Sequence, residues 1–171
     1  MLFAIHCHHG KEKITISSSM TEMNGTIPSE VGKLSSLTDI TLFNVLIDGT
    51  LPTKIGSLTS LYFLSVAGNN ITGPIPSELG HLTRLGLLYL AVEMLTGTIP
   101  MELGALTNVV QLTVGVNSLS GTIPTFVDQL TSLDEFWEND NNLAGPFTCP
   151  DFMEKCFLSC LSEAPQCREL K

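Results

Sequence analysis

Aromatic residues are scarce in this chain: they make up 6% of 171 residues, as eight Phe, two Tyr and one Trp. A core of stacked rings is thereby excluded, and the interior must be aliphatic. Charge is also sparse, at 15%, and it runs acidic, with 8 Lys and Arg against 17 Asp and Glu and a net charge of −9. A pI near 4.7 makes the chain a poor partner for a phosphate backbone or an anionic membrane surface. Low charge combined with 43% hydrophobic residues and a mean hydropathy of +0.28 argues against disorder. Long apolar runs are missing as well. The longest, Leu85 to Val92, is eight residues between Arg84 and Glu93, far short of the ~20 that cross a bilayer. No Gly-x-x-x-x-Gly-Lys-Ser/Thr, kinase signature set or Gly-x-Ser-x-Gly occurs, so the chain reads as no enzyme, with no catalytic residues and no cofactor.

Leucine is what the chain has in abundance, 26 of 171 residues, and it is not scattered. Gly25, Gly49, Gly73, Gly97, Gly121 and Gly145 fall 24 residues apart, and Pro28, Pro52, Pro76, Pro100 and Pro124 keep the same beat. A second row holds Gly32, Gly56, Gly80 and Gly104, with Asp128 in the fifth place, so 10 of 14 glycines sit on one comb. Apolar positions ride it too, as in Leu58-x-x-Leu61-x-x-Leu64-x-Val66. The final step of two suits a short strand with one buried face, and the steps of three suit a turn or 3₁₀ segment feeding it. Glycine supplies the positive φ or close approach that each turn needs, while proline opposes a continuous strand on the far side.

This pattern is the leucine-rich repeat. Gly97-Thr-Ile-Pro-Met-Glu-Leu-Gly-Ala-Leu-Thr107 resembles its plant-type subclass, found in ectodomains of receptor-like kinases and receptor-like proteins, in secreted enzyme inhibitors and in algal relatives. The resemblance covers roughly residues 14 to 148. It implies an α/β solenoid: a superhelix with a short-stranded parallel concave sheet, a 3₁₀ or irregular convex side and a short C-terminal capping helix. Each coil then buries its leucines against its neighbours only. The family's buried asparagine after each strand is matched by Asn69, Asn117 and Asn141, whereas Val45 and Glu93 stand there in two coils. Irregular turns are expected at those two.

The organisation reads as 1–24, a partial N-terminal cap and degenerate first repeat; 25–148, five repeats of 24 residues; and 149–171, a Cys-rich C-terminal cap. Asp151-Phe-Met-Glu154 has the form of a capping box, and Phe152, Met153, Cys156, Phe157, Cys160 and Leu161 recur at helical spacing. Cys149, Cys156, Cys160 and Cys167 fit two disulfides in an oxidising compartment or a zinc site in a reducing one. Common zinc knuckles are absent, so disulfides are the expectation, and of three pairings Cys149–Cys156 with Cys160–Cys167 is favoured.

At the start, Ala4-Ile5-His6-Cys7 resembles the end of the family's paired-cysteine cap, and Ile14-Thr-Ile16 the strand after it. The cap's tryptophan and first cysteine would precede Met1, which leaves Cys7 unpaired. The expectation is a piece of a longer exported protein, although no secretory signal is visible; a true start at Met1 with a free thiol is the alternative. His6, Cys7, His8 and His9 read as a frayed, solvated tail and not a metal site, and His81 as solvated. Asn24 and Asn70 head Asn-x-Thr sequons and are glycosylation candidates in a secreted chain.

Alternation along the strands puts three columns on the concave face. They are Asp39, Phe63, Leu87, Gln111 and Glu135; then Thr41, Ser65, Tyr89, Thr113 and Trp137; then Phe43, Ala67, Ala91, Gly115 and Asn139. Phe43, Phe63, Leu87, Tyr89 and Trp137 are the candidate partner-binding residues. Asp134, Glu135, Glu138 and Asp140 form an acidic rim, in which Glu138 occupies an inward position and should pair or twist outward. The arginine pair with which the family captures a peptide carboxylate has no counterpart in these columns.

The resemblance implies a non-catalytic module, the extracellular or cell-surface recognition region of a receptor-like protein acting in signalling or defence. Its partner would be a protein or peptide, not nucleic acid or membrane, and the chain a monomer or member of a receptor hetero-complex. The alternative is a secreted inhibitor of a foreign enzyme such as a cell-wall-degrading hydrolase.

Overall fold

The computed structural model describes residues 5–8, 11–17, 25–145, 150–151 and 155–157. Its spine is an eight-stranded sheet. In spatial order it holds Ile5–His8, Lys11–Ser17, Leu37–Phe43, Phe63–Ser65, Leu87–Tyr89, Gln111–Thr113, Glu135–Trp137 and Lys155–Phe157. The first pair is antiparallel, and every later pair is parallel.

Each coil is built from the same local chemistry. Pro52, with φ fixed at −71°, ends an extended stretch and opens the 3₁₀ turn Thr53–Ser57. Its carbonyl accepts the N–H of Ile55, that of Ile55 accepts from Leu58, and that of Leu58 accepts from Leu61, at 2.8–3.0 Å. Three successive steps of three residues bring Ile55, Leu58 and Leu61 to one side, where all are fully buried. Leu64 and Val66 then continue inward on the strand. The same turn recurs at Ser29–Lys33, Ser77–His81, Met101–Ala105 and Thr125–Gln129. The core is thus a stack of aliphatic layers, with Phe126 and Phe136 its only rings among the described residues.

The two glycine rows do different things. Gly49, Gly73, Gly97, Gly121 and Gly145 all have φ between 78° and 92°, which an L side chain resists. Gly32, Gly56 and Gly80 instead sit where a Cβ would strike the backbone carbonyl of the next coil, at Lys54, Glu78 and Glu102.

A second sheet runs up the side after the strand turn, formed by Thr72–Pro74, Met94–Gly97, Ser118–Thr122 and Asn142–Ala144 in parallel, with Gly25–Thr26 paired to Ile47–Asp48. The sequence pattern did not announce it, because its strands are mostly exposed and carry no alternation of buried residues.

Two expectations at the ends are corrected. Residues 155–157, assigned above to a capping helix, form a strand that extends the main sheet, with Trp137 opposite Phe157. A short apolar run serves either geometry, and here an open sheet edge offers partners for the backbone. His6, Cys7 and His8, read together with His9 as a frayed tail, lie in the strand Ile5–His8, antiparallel to Lys11–Ser17, with Cys7 opposite Glu12; it covers the other edge, and His9 lies outside the described residues. Cys149, Cys160, Cys167 and Asn24 lie outside the described residues.

Candidate functional site: the strand face

The register reproduces the three predicted columns. Asp39, Phe63, Leu87, Gln111 and Glu135 stand side by side, as do Thr41, Ser65, Tyr89, Thr113 and Trp137. Backbone bonds carry the third column onward, since the N–H of Asn44 meets the carbonyl of Ala67 and that of Gly68 meets Ala91.

Phe63, Leu87 and Tyr89 come together in the middle. The rings of Phe63 and Tyr89 meet edge to face, with centroids 5.3 Å apart at 79°. The Tyr89 hydroxyl donates to Oε1 of Gln111 in the next coil. Burial, and then the negative charge of Glu135, raise that hydroxyl's pKa above its ordinary value. All three side chains are half-buried, so they present one worn edge of a cluster and not three free rings. Phe43 and Trp137 do not join it. Phe43 is 53% exposed and Trp137 39%, at opposite margins of the three columns.

Charge frames the patch. At one end Asp39 is neutralised by Lys13, Nζ to Oδ1 at 2.9 Å, and also accepts the Thr38 hydroxyl at 2.5 Å. At the other end stand Asp134 and Asp140, exposed, and Glu135, half-buried. Glu138 leaves the predicted acidic rim: it is only 2% exposed, so it neither twists outward nor lies in solvent. Its backbone carbonyl accepts from Asn141 Nδ2 at 2.9 Å.

Behind the face the turns are pinned by side-chain amides. Asn69 Oδ1 accepts the N–H groups of Val45 and Ile47 at 3.0 and 3.1 Å, and its Nδ2 donates to Leu42 and Val66. Asn117 and Asn141 repeat the scheme toward Leu95 and Leu119. Glu93 does the same with two oxygens: Oε1 accepts from Asn69 N–H at 2.8 Å and Oε2 from Ile71 N–H at 2.7 Å. The Glu93 turn is therefore regular, against expectation, because its carboxylate accepts at the same two places as the asparagine. The Val45 turn does depart, with an additional positive φ of 59° at Leu46.

Sequence reasoning missed two groups of exposed apolar side chains. Tyr62, 52% exposed, lays its ring against Gly86 of the next coil. Leu46, Val92, Met94 and Val116, all 44–60% exposed, line the turn that follows the strands. The comb held the signal, since Val92 and Val116 share the register of Gly68. Among the described residues, no group of three His, Cys, Asp or Glu is arranged to hold a metal ion, and no helix is long and apolar enough to cross a membrane. Asn70 of the second sequon is exposed.

No protein-family model and no curated protein matches this chain. Solved structures do. The leucine-rich repeat ectodomain of the receptor kinase SOBIR1 from Arabidopsis thaliana is 32% identical over 75% of this chain and 70% of that one, with a TM-score of 0.70. The plant peptide hormone receptor RGFR1, in complex with RGF2, is 35% identical over 70% of this chain, with a TM-score of 0.69. PEPR1 in its structure with AtPEP1 is 27% identical over 91%, with a TM-score of 0.80. The chain spans only 19% and 22% of those last two proteins. Coil for coil, in its Gly-Thr-Ile-Pro turns, its asparagine-pinned strands and its likeness to these ectodomains, the chain belongs to the plant-type leucine-rich repeat family.

Proposed function

We propose that this chain is a non-catalytic recognition module that binds a protein or peptide partner on its strand face, as part of the extracellular region of a receptor-like protein in signalling or defence. The observation that carries the reading is the cluster of Phe63, Leu87 and Tyr89. It faces away from the core and lies centrally on the sheet, with Phe43 and Trp137 exposed at its margins. Aromatic side chains in such a place bury large area at low entropic cost when a partner covers them. Two of the similar ectodomains, RGFR1 and PEPR1, were solved with RGF2 and AtPEP1, which supports the same use here. A location at the cell surface or outside it accompanies the reading. So do glycans on Asn70 and Asn24 and disulfides among Cys149, Cys156, Cys160 and Cys167, with Cys7 unpaired; of these, Asn24, Cys149, Cys160 and Cys167 lie outside the described residues.

The test is selection of binders from a displayed library of random dodecapeptides against the folded chain. Affinity should fall at least about tenfold in the Phe63→Asp/Tyr89→Asp variant, with the far-UV spectrum unchanged. Undiminished affinity would overturn the assignment of the strand face.

A further inference from the structure

Beside the strand face runs a column of turn residues: Asn44, Gly68, Val92, Val116 and Asp140. All five have positive φ, at 56°, 60°, 54° and 55° for Asn44, Val92, Val116 and Asp140 and at 78° for Gly68. Asparagine, aspartate and glycine tolerate that conformation. Valine does not, because its branched Cβ crowds the following carbonyl. Packing gives no return for it here. Val92 is 54% exposed and Val116 44%, with Met94, 48% exposed, two residues after Val92. The two valines sit on successive coils, tied by the bond from Val92 N–H to the Gly115 carbonyl at 3.0 Å. Two adjacent coils therefore place the least suitable residue in the turn and point it at solvent.

Among the residues whose side chains are described, the charge next to this ridge is negative. Of the cations whose side chains are described, Lys33, Lys54 and His81 lie within the 3₁₀ turns on the opposite side, with Arg84 just beyond one of them. Among them only Lys13 reaches the strand face, where it is bound to Asp39, and Lys155 stands opposite Glu135 in the sheet register. Asp140 is the next member of the column after Val116, and Asp134 and Glu135 stand in the same coil. We propose that Val92, Met94 and Val116 form a docking ridge for a segment of a partner protein that carries aliphatic side chains followed by lysine or arginine, the cation lying toward Asp140. Methionine adapts to an apolar surface it meets, and the acidic end selects a cation over a second copy of this chain, whose own net charge is −9. The ridge rests on the recognition reading above but uses different residues.

The same dodecapeptide library tests it. Selected peptides should pair Leu, Ile or Val with Lys or Arg. Replacing Val92→Asn and Val116→Gly, residues the column already holds at Asn44 and Gly68, should weaken them about tenfold without lowering the melting temperature. Asp140→Lys should weaken them further and flatten their salt dependence. Peptides that are lost with Phe63→Asp/Tyr89→Asp yet indifferent to the ridge variants would overturn the ridge and leave the strand-face reading standing. Failure to select any peptide would overturn both. A dimer in sedimentation that the ridge variants dissolve would overturn the assigned occupant.

Discussion

Glu93 accepts the backbone N–H of Ile71, one coil away, at 2.7 Å. With its other oxygen on Asn69 N–H, it does the work of a buried asparagine while carrying a carboxyl group. Burial raises its pKa from 4.5 to about 7, against the opposing pull of the bonds from Ile71 and Asn69. Between those two values the folded chain holds a proton that the unfolded chain has lost. Stability should therefore fall as pH rises from 4.5 to about 7 and level off above, by an amount on the order of 2 kcal/mol. Urea unfolding across that range checks it. Glu93→Asn, which keeps the acceptor and cannot ionise, should remove this slope.

Asn69 and Asn141 should differ in worth. Asn69 serves Val45 and Ile47 with its oxygen and reaches Leu42 and Val66 with its amide. Asn141 Oδ1 takes only the N–H of Leu119, since Asn117 N–H is served by the Asp140 carbonyl. Asn69→Ala should cost about 2–4 kcal/mol and Asn141→Ala about 1–2, at about 1–3 kcal/mol for each buried group left unpaired. Denaturant midpoints of the two variants, compared side by side, decide the ranking.

Gly80→Ala should destabilise by about 2–3 kcal/mol, because its Cβ would press on the carbonyl of Glu102. Asp128→Ala, at the same register and exposed, should change stability by less than about 0.5 kcal/mol. Thermal melts of both variants test whether the row of glycines exists for coil spacing and not for turn geometry.

Val92→Asn should stabilise the fold by about 1 kcal/mol, from relief of a left-handed β-branched residue. A lower melting temperature would show that the Val92 side chain contributes more to the folded state than its exposure of 54% indicates.

The comb made most of this legible. A fixed offset of 24 residues gives both the buried set and the outward columns, because parallel strands with one period align like positions. Part of what escaped it lies where the offset changes. Lys155 pairs with Glu135 at a separation of 20, and Ile14 with Ile40 at 26. A shortened outer coil breaks the register that would have marked residues 155–157 as a strand, leaving helical spacing as the only visible pattern. The site was legible in its columns but not in its grouping. Register alone does not say that Tyr89 turns toward Phe63 and Gln111. Glu93 was misjudged for a simpler reason: a longer carboxylate reaches the same two N–H groups as asparagine, which residue type does not reveal.

Asp128 has a bearing on how such a chain can lengthen. A duplicated unit of 49–72 would set Gly56 beneath the new coil and stack without obstruction. A duplicated unit of 121–144 would set Asp128 there instead, where Gly104 now allows the close approach of Phe126. Tandem growth of this solenoid therefore has a polarity: new coils are accommodated from its middle, and the fifth coil does not accept a copy of itself unless Asp128 first becomes glycine.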